Sequence, residues 1–274
     1  MTRRIFGILL AAAFLFLGLG LLVTALVRQR AEADKETVKK NLMELGQFAA
    51  HYRKAVDAKA KLPEIIVVPP GTLIPSDFAP DRRLSWVVPM LPLMDQKRQK
   101  TAELLPMLDP KLAWDAGGNR KAGNTRIRVL LCPAAPPEFR EGEPVVTQIV
   151  GIAGVGEDAA SLPTDSPRAG SFRYDSPTPL AAFPDGLSNT LLFGETNRDL
   201  GPWIRGGHST VRGILEKGKV IGDSAQFGGI HVGGAWFGLA DGGARFLNER
   251  MEPRVLLALA TRAGGANEAT ALAD

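Results

Sequence analysis

The sequence is poor in the residues on which most recognisable sites depend. Its 274 residues include one cysteine, three histidines and only 7% aromatic side chains. A single cysteine, Cys132, excludes an internal disulfide and any site built on a cysteine pair. The sequence also lacks Gly-x-x-x-x-Gly-Lys-Ser/Thr, His-Glu-x-x-His and Gly-x-Ser-x-Gly. These absences exclude the common nucleotide-binding, zinc-protease and serine-hydrolase motifs, and we predict no catalytic residue and no cofactor.

Acidic residues are absent from the first 30 positions, which contain four arginines. The formal net charge is +4, and without those four arginines the rest of the chain has 29 basic and 29 acidic residues. The surplus charge therefore flanks one segment and does not form the broad basic surface of a nucleic-acid-binding protein. We predict no nucleic-acid partner.

That segment, Ile5 to Val27, is a run of 23 residues without a charge or a proline. As a helix it would be roughly 34 Å long, enough to cross a hydrocarbon core of about 30 Å. A cleaved signal peptide is the alternative, since Ala31-Glu32-Ala33 has the small-x-small form of a cleavage site. The apolar run is too long for one, and Arg28 and Arg30 lie just before that site. We predict an uncleaved anchor in the lipid bilayer, preceded by a short tail at residues 1–4.

The distribution of basic residues bears on the orientation of this anchor. Two of them, Arg3 and Arg4, precede the apolar run. Those that follow it are Arg28, Arg30, Lys35, Lys39 and Lys40. The positive-inside rule counts basic residues only, so by itself it favours a cytoplasmic C-terminal domain.

A helical stripe of apolar residues follows the anchor, at spacings of three and four. Its members are Val38, Leu42, Leu45, Ala49, Tyr52 and Val56. The stripe predicts an amphipathic extension of the same helix over residues 28–61, half-buried against the chain's own globular domain. A linker helix or a coiled-coil stalk is the alternative, but a coiled coil needs three or four heptads.

Residues 62–265 are predicted to form one α+β domain, followed by a frayed tail at residues 266–274. Predicted helices cover 84–94 (around Trp86), 104–114 and 252–263, and residues 115–124 and 157–179 are predicted to be irregular. Predicted strands cover 126–131, 145–152 and 190–194, with a hairpin at 234–247 around Asp241-Gly242-Gly243. Helices first and strands later indicate α+β architecture with an antiparallel sheet.

The histidines offer a candidate metal site. His208 and His231 both lie in glycine-rich loops, and with Asp241 or Glu195 they could bind a metal if the loops converge. No spacing requires this, and structural hydrogen bonding is the alternative for both. His51 is predicted to be a surface or packing residue of the long helix. Cys132 is predicted to be buried and inert.

Two other features suggest binding. Four acidic residues of the irregular segment could hold calcium, although a solvated loop is the alternative because no EF-hand spacing is present. They are Glu157, Asp158, Asp165 and Asp175. Trp203 and Trp236 could form a ligand or polysaccharide platform, although a tryptophan inside a strand is more often a core residue.

Several short segments occur in a characteristic order between about residues 31 and 265. They are NLMELG at 41–46, LSWVV at 84–88, LCP at 131–133, VGIAGVGEDAA at 150–160, DGLSNTL at 185–191, GPW at 201–203, HVGGA at 231–235, ADGGARF at 240–246 and LATRAGG at 259–265. In this order they resemble the bacterial prepilin-like family known as domain of unknown function fifteen-fifty-nine, which is often described as pseudopilin-like.

The resemblance implies a pilin-like fold, in which a long N-terminal helix lies half in the membrane and packs its outer half on an antiparallel sheet. It also implies a single-pass protein of the cytoplasmic membrane, with its domain outside the cytoplasm and a structural or interaction role without catalysis. Protein partners or self-association would follow from that role. An anchored metal-dependent enzyme and a ligand-binding module are the alternatives.

The N-terminus departs from the family pattern. Relatives commonly carry Gly-Phe-Thr-Leu-x-Glu and are cleaved before the Phe, whereas this chain has Arg4-Ile5-Phe6-Gly7-Ile8-Leu9 and no acidic residue in its apolar run. The resemblance therefore implies a fold, and it does not extend to prepilin processing or polymerisation.

Overall fold

A computed structural model describes residues 2–57, 67–73, 77–94 and 101–264. Its helices are α1 (Thr2–Asp57), α2 (Val87–Met90), α3 (Gly117–Gly123) and α4 (Pro253–Ala260). Its strands are β1 (Val67–Val68), β2 (Ile149–Val155), β3 (Thr178–Pro179), β4 (Leu191–Glu195), β5 (Val211–Ile214), β6 (Gly234–Leu239) and β7 (Ala244–Asn248). Short 3₁₀ turns connect these elements, among them Thr101–Met107 and Arg128–Leu130. The combination is an α+β fold, as predicted.

Helix α1 is continuous from Thr2 to Asp57 and contains the whole predicted anchor. Its apolar side chains between Phe14 and Val27 are exposed, since no part of the chain that the structure describes covers them. Within the described residues, α1 is the helix that is long and apolar enough to cross a membrane. This helix is consistent with a single-pass membrane anchor.

The second half of α1 buries the predicted stripe. Val38, Leu42, Leu45 and Ala49 are at most 4% exposed. They pack against the β6–β7 hairpin, α2 and the Arg128–Leu130 turn. The side chains of Tyr52 and Val56, and the predicted extension of the helix beyond Asp57, lie outside the described residues.

Helix and hairpin approach closely at a pair of glycines. A Cβ atom on Gly46 would lie only 2.7 Å from Cα of Gly242, in the β6–β7 turn. Because such a distance is shorter than real Cβ contacts, the two backbones can meet here only if Gly46 has no side chain.

The main sheet has five strands in the order β5-β2-β4-β6-β7. The pairs β2–β4, β4–β6 and β6–β7 are antiparallel, whereas β2–β5 is parallel. The expectation of a wholly antiparallel sheet is therefore wrong, and the sheet is mixed. Strand β5 cannot pair with β4, which already has β2 and β6 at its two edges. It crosses to the free edge of β2 and runs in the same direction. Strands β1 and β3 form a separate antiparallel pair.

Apolar side chains cover both faces of this sheet. Under α1 and α2, Trp86, Phe172 and Phe193 form a ring cluster with centroids 5.1–5.6 Å apart. Trp86 is fully buried, as predicted, and its Nε1–H donates to the Thr210 carbonyl at 2.9 Å. A second buried cluster lies under α4 and includes Phe237.

Most predicted strands are present, with shifted ends. Residues 190–194 correspond to β4 and the predicted hairpin to β6 and β7, while β2 begins at Ile149, later than expected. The predicted C-terminal helix is α4, and the predicted tail at 266–274 lies outside the described residues.

Two local predictions are wrong. Residues 126–131 contain a 3₁₀ turn at Arg128–Leu130 and no strand, and the end of this segment is held toward α1 because Asn41 Nδ2 donates to the Leu131 carbonyl at 3.2 Å. Residues 115–124 contain α3 and are not an irregular loop. The buried Asn119 fixes this segment by accepting from the Asp109 N–H at 2.8 Å and donating to the Ala113 carbonyl at 3.1 Å.

Candidate metal centre

Three metal-ligating side chains from distant parts of the chain meet inside the domain. They are Cys132, which follows the Arg128–Leu130 turn, Glu195, which ends β4, and His231, which lies in the loop before β6. One donor atom of each lies within 4.8 Å of the other two. Cys132 Sγ is 3.6 Å from His231 Nε2, and the same nitrogen is 3.2 Å from Glu195 Oε1.

All three residues are buried. Cys132 and Glu195 are 0% exposed and His231 is 7% exposed. A buried carboxylate is costly unless its oxygens have partners. Glu195 Oε2 accepts a hydrogen bond from the Trp236 backbone N–H at 3.2 Å. Among the described residues, Oε1 makes no hydrogen bond of good geometry, and it lies 3.2 Å from His231 Nε2.

A buried glutamine positions the cysteine. Gln148, which directly precedes β2, accepts a hydrogen bond from the Cys132 backbone N–H at 2.8 Å through its Oε1. Its amide nitrogen donates to the Ala135 carbonyl at 2.7 Å and to Asn197 Oδ1 at 3.2 Å. One side chain thus connects the cysteine loop to the segment that follows Glu195.

The electrostatic environment keeps the Cys132 thiol protonated in the absence of a cation. Burial, and then the charge of Glu195, raise its pKa from 9.0 to about 12. A nucleophilic cysteine requires the opposite shift. In a Cys-His-acid triad, moreover, the thiol and the carboxylate contact opposite nitrogens of the imidazole. Here both lie beside Nε2 of His231, so the three groups converge on one point.

The family of the domain follows from a comparison with known proteins. A family described as "Protein of unknown function (DUF1559)" matches residues 65–214, more than half of the chain. The chain belongs to this family. The short sequence segments that occur in a characteristic order between about residues 31 and 265 point to the same family. The matched DUF1559 range contains Cys132 and Glu195, and His231 follows it. No curated protein and no solved structure matches the chain.

The structure separates the other sequence-predicted ligands from this cluster. His208 lies in a cavity of about 300 Å³ that it shares with Glu157, Asp199 and Arg212. Burial and the charge of Arg212 lower its pKa. Asp241 lies beyond the far end of β6 from His231, and its Oδ1 accepts from the Gly243 N–H at 2.8 Å. Strand β6 alone spans about 20 Å, so Asp241 does not reach the cluster in this DUF1559 domain.

The acidic residues proposed for calcium are dispersed. Asp158 pairs with Arg168 at 2.7 Å, and Asp175 pairs with Arg83. Both carboxylates therefore have cationic partners in the domain.

The tryptophan platform is not formed. Trp203 is fully buried and donates from Nε1 to the Thr125 carbonyl at 2.9 Å. Trp236 is half-buried and packs edge-on against Phe246, with ring centroids 5.5 Å apart. The structure therefore favours the alternative, a packing role, because the core covers Trp203 and the hairpin partly covers Trp236.

Sequence reasoning missed Cys132 as a member of the cluster. It lies 99 residues before His231, so no spacing rule connects the two. The one local signal is that Cys132 ends a buried apolar run, which predicts burial but no partner.

An open cleft adjoins the cysteine. It has a volume of about 400 Å³ and lies between α1 and residues 126–139. Cys132 is among its lining residues, together with Asn41, Arg128 and Phe139. The cluster of this DUF1559 protein is therefore buried but borders a cleft.

Proposed function

We propose that the protein is a pseudopilin-like structural or interaction protein, anchored by α1 in the cytoplasmic membrane with its domain outside the cytoplasm and without catalytic activity. The observation that carries the proposal is the change of environment along one unbroken helix. Up to Val27 its described side chains are exposed and apolar, and from Val38 to Ala49 it presents one buried stripe to the sheet.

This arrangement supports a display role for physical reasons. A continuous helix that leaves the bilayer and packs on its own domain fixes the position and orientation of that domain relative to the membrane. The domain is then held near the membrane surface rather than on a flexible linker. Such a geometry suits a protein that contacts protein partners or other copies of itself beside the membrane.

The orientation outside the cytoplasm is supported by the resemblance to prepilin-like proteins and opposed by the count of basic residues. A site-specific protease experiment distinguishes a domain outside the cytoplasm from a domain inside it. One variant carries a tobacco-etch-virus protease site at Gly142, an exposed turn position with no atom within 4 Å of an added Cβ. A matched variant carries the same site directly after Met1.

In intact spheroplasts treated with the protease, we expect cleavage at the Gly142 site and protection of the N-terminal site. In lysed cells both sites should be cut, which controls for accessibility. Protection of the Gly142 site together with cleavage of the N-terminal site would show that the domain is cytoplasmic. Self-association is a separate part of the proposal, and crosslinking in membranes that gives only monomers would count against it.

A further inference from the structure

We propose that Cys132, Glu195 and His231 form a binding site for a Zn²⁺-class divalent metal that joins three segments of the domain. The proposal is independent of the membrane topology. It rests on the identity of the three donors, on the distances between them, and on the burial of all three side chains.

The donor set is one that zinc favours. Thiolate sulfur, imidazole nitrogen and carboxylate oxygen are its usual protein ligands, whereas magnesium and calcium select oxygen. On binding, the Cys132 thiol releases its proton to the solvent, and the divalent cation then compensates one thiolate and one carboxylate beside a neutral imidazole. A neutral centre of this kind removes the cost of burying Glu195 without a full set of partners.

The distances fit a common centre. Zinc binds sulfur at about 2.3 Å and nitrogen or oxygen at about 2.0–2.2 Å, so tetrahedral ligands lie roughly 3.6 Å (S to N) and 3.3 Å (N to O) apart. The corresponding distances are 3.6 Å between Cys132 Sγ and His231 Nε2, and 3.2 Å between that nitrogen and Glu195 Oε1. Two of the three donor separations therefore already match those that such an ion requires, and the third, between Cys132 and Glu195, is at most 4.8 Å.

Neighbouring polar groups hold two of the three ligands in place. The Trp236 N–H binds one oxygen of Glu195 and leaves Oε1 directed at the cluster. Gln148 holds the backbone of Cys132. Groups of this kind orient ligands in known metal sites. The cleft beside Cys132 borders this cluster.

Three protein ligands leave one position of a tetrahedral ion for a water molecule. Catalytic zinc sites share this pattern, but they expose the open position to substrate. Here the ligand residues are at most 7% exposed. We therefore assign the ion a stabilising role, in which it fixes the Cys132 loop and the His231 loop to the end of β4.

The test uses the full-length protein in detergent, stripped with a chelator and then dialysed against buffered Zn²⁺. We expect about one equivalent of bound zinc per chain, and a Tm higher by roughly 5–10 °C at a hundredfold excess of free Zn²⁺ over Kd. Substitution with Co²⁺ should give the ligand-field bands of a tetrahedral ion and a thiolate charge-transfer band. Loss of that band in Cys132→Ser would assign it to this residue.

The variants Cys132→Ser, Glu195→Gln and His231→Gln should each lose stoichiometric zinc, whereas the matched control His208→Gln should retain it. Less than about one-tenth equivalent of zinc in the wild-type protein, with no change in Tm, would overturn the proposal. Retention of zinc in Cys132→Ser, or its equal loss in His208→Gln, would also overturn it. If a variant fails to fold, the zinc content, Tm shift and cobalt spectrum of the wild-type protein still test the proposal.

Discussion

The docking of α1 on the sheet can be tested at two adjacent positions. Leu42 is 0% exposed and packs beside Gly238 of β6, whereas Met43 is 37% exposed. Leu42→Ala removes three buried carbon atoms, a transfer loss of about 2.4 kcal/mol. A residual cavity adds about 1 kcal/mol. We therefore expect the free energy of unfolding to fall by about 3.5 kcal/mol.

For a domain of about 200 residues, this loss corresponds to a decrease in Tm of roughly 10 °C. Met43→Ala is the matched control, because both substitutions change helix propensity by only a few tenths of a kcal/mol. We expect Met43→Ala to lower Tm by less than about 3 °C. The assay is thermal unfolding of the full-length protein in detergent, followed by tryptophan fluorescence. Equal shifts for the two variants would refute the docked orientation of α1.

Three further predictions concern single contacts and use the same unfolding assay. Gly46→Ala should lower Tm although alanine favours helices by about 1 kcal/mol, because the new methyl group meets Gly242; a higher Tm would show that the backbones do not touch. Asn119→Ala should cost about 3 kcal/mol by leaving the N–H and carbonyl of Asp109 and the Ala113 carbonyl without their side-chain partner, and a loss below about 1 kcal/mol would contradict that role. Asp158→Asn should destabilise slightly, by less than about 1 kcal/mol, since the carboxylate is exposed. The hydrogen bond from Arg168 lowers the pKa of Asp158 below 3.8, so its contribution is present above about pH 4 and disappears as the pH falls; a difference that persists at pH 2 would refute this.

The features that are predicted correctly depend on short stretches of sequence. A run without charges predicts the long apolar helix at the N-terminus, a period of three and four predicts the buried face of α1, and Asp241-Gly242-Gly243 between apolar runs predicts the β6–β7 hairpin. Each depends on residues that are neighbours along the chain.

The errors occur where a distant contact decides the local structure. Residues 126–131 alternate like a strand, but their end is held by Asn41 of α1, and they form a 3₁₀ turn. The glycine-rich segment at 115–124 becomes helical because Asn119 binds the preceding turn. In the first segment a side chain of α1, outside the local pattern, determines the structure, and in the second a hydrogen bond to a turn ten residues earlier does so.

The candidate site was predicted in part. His231 and Glu195 belonged to the predicted set, and the structure brings them together. Cys132 replaces His208 and Asp241, which lie elsewhere. Histidines in glycine-rich loops are recognisable as potential ligands, but the convergence of three loops is a tertiary property.

The register between β2 and β4 is what assembles this cluster. Ile149 pairs with Glu195, so Gln148, which holds Cys132, lies beside the end of β4, and its carbonyl accepts from the Thr196 N–H at 2.9 Å. A slip of one residue would turn Glu195 to the other face of the sheet. An alternation of apolar and polar residues normally specifies the register of a strand. Every residue of β2 and β4 is buried, so these two strands lack such an alternation. The sequence therefore predicts both strands but not which residues of β2 pair with which residues of β4. The position of the Glu195 carboxylate depends on that register.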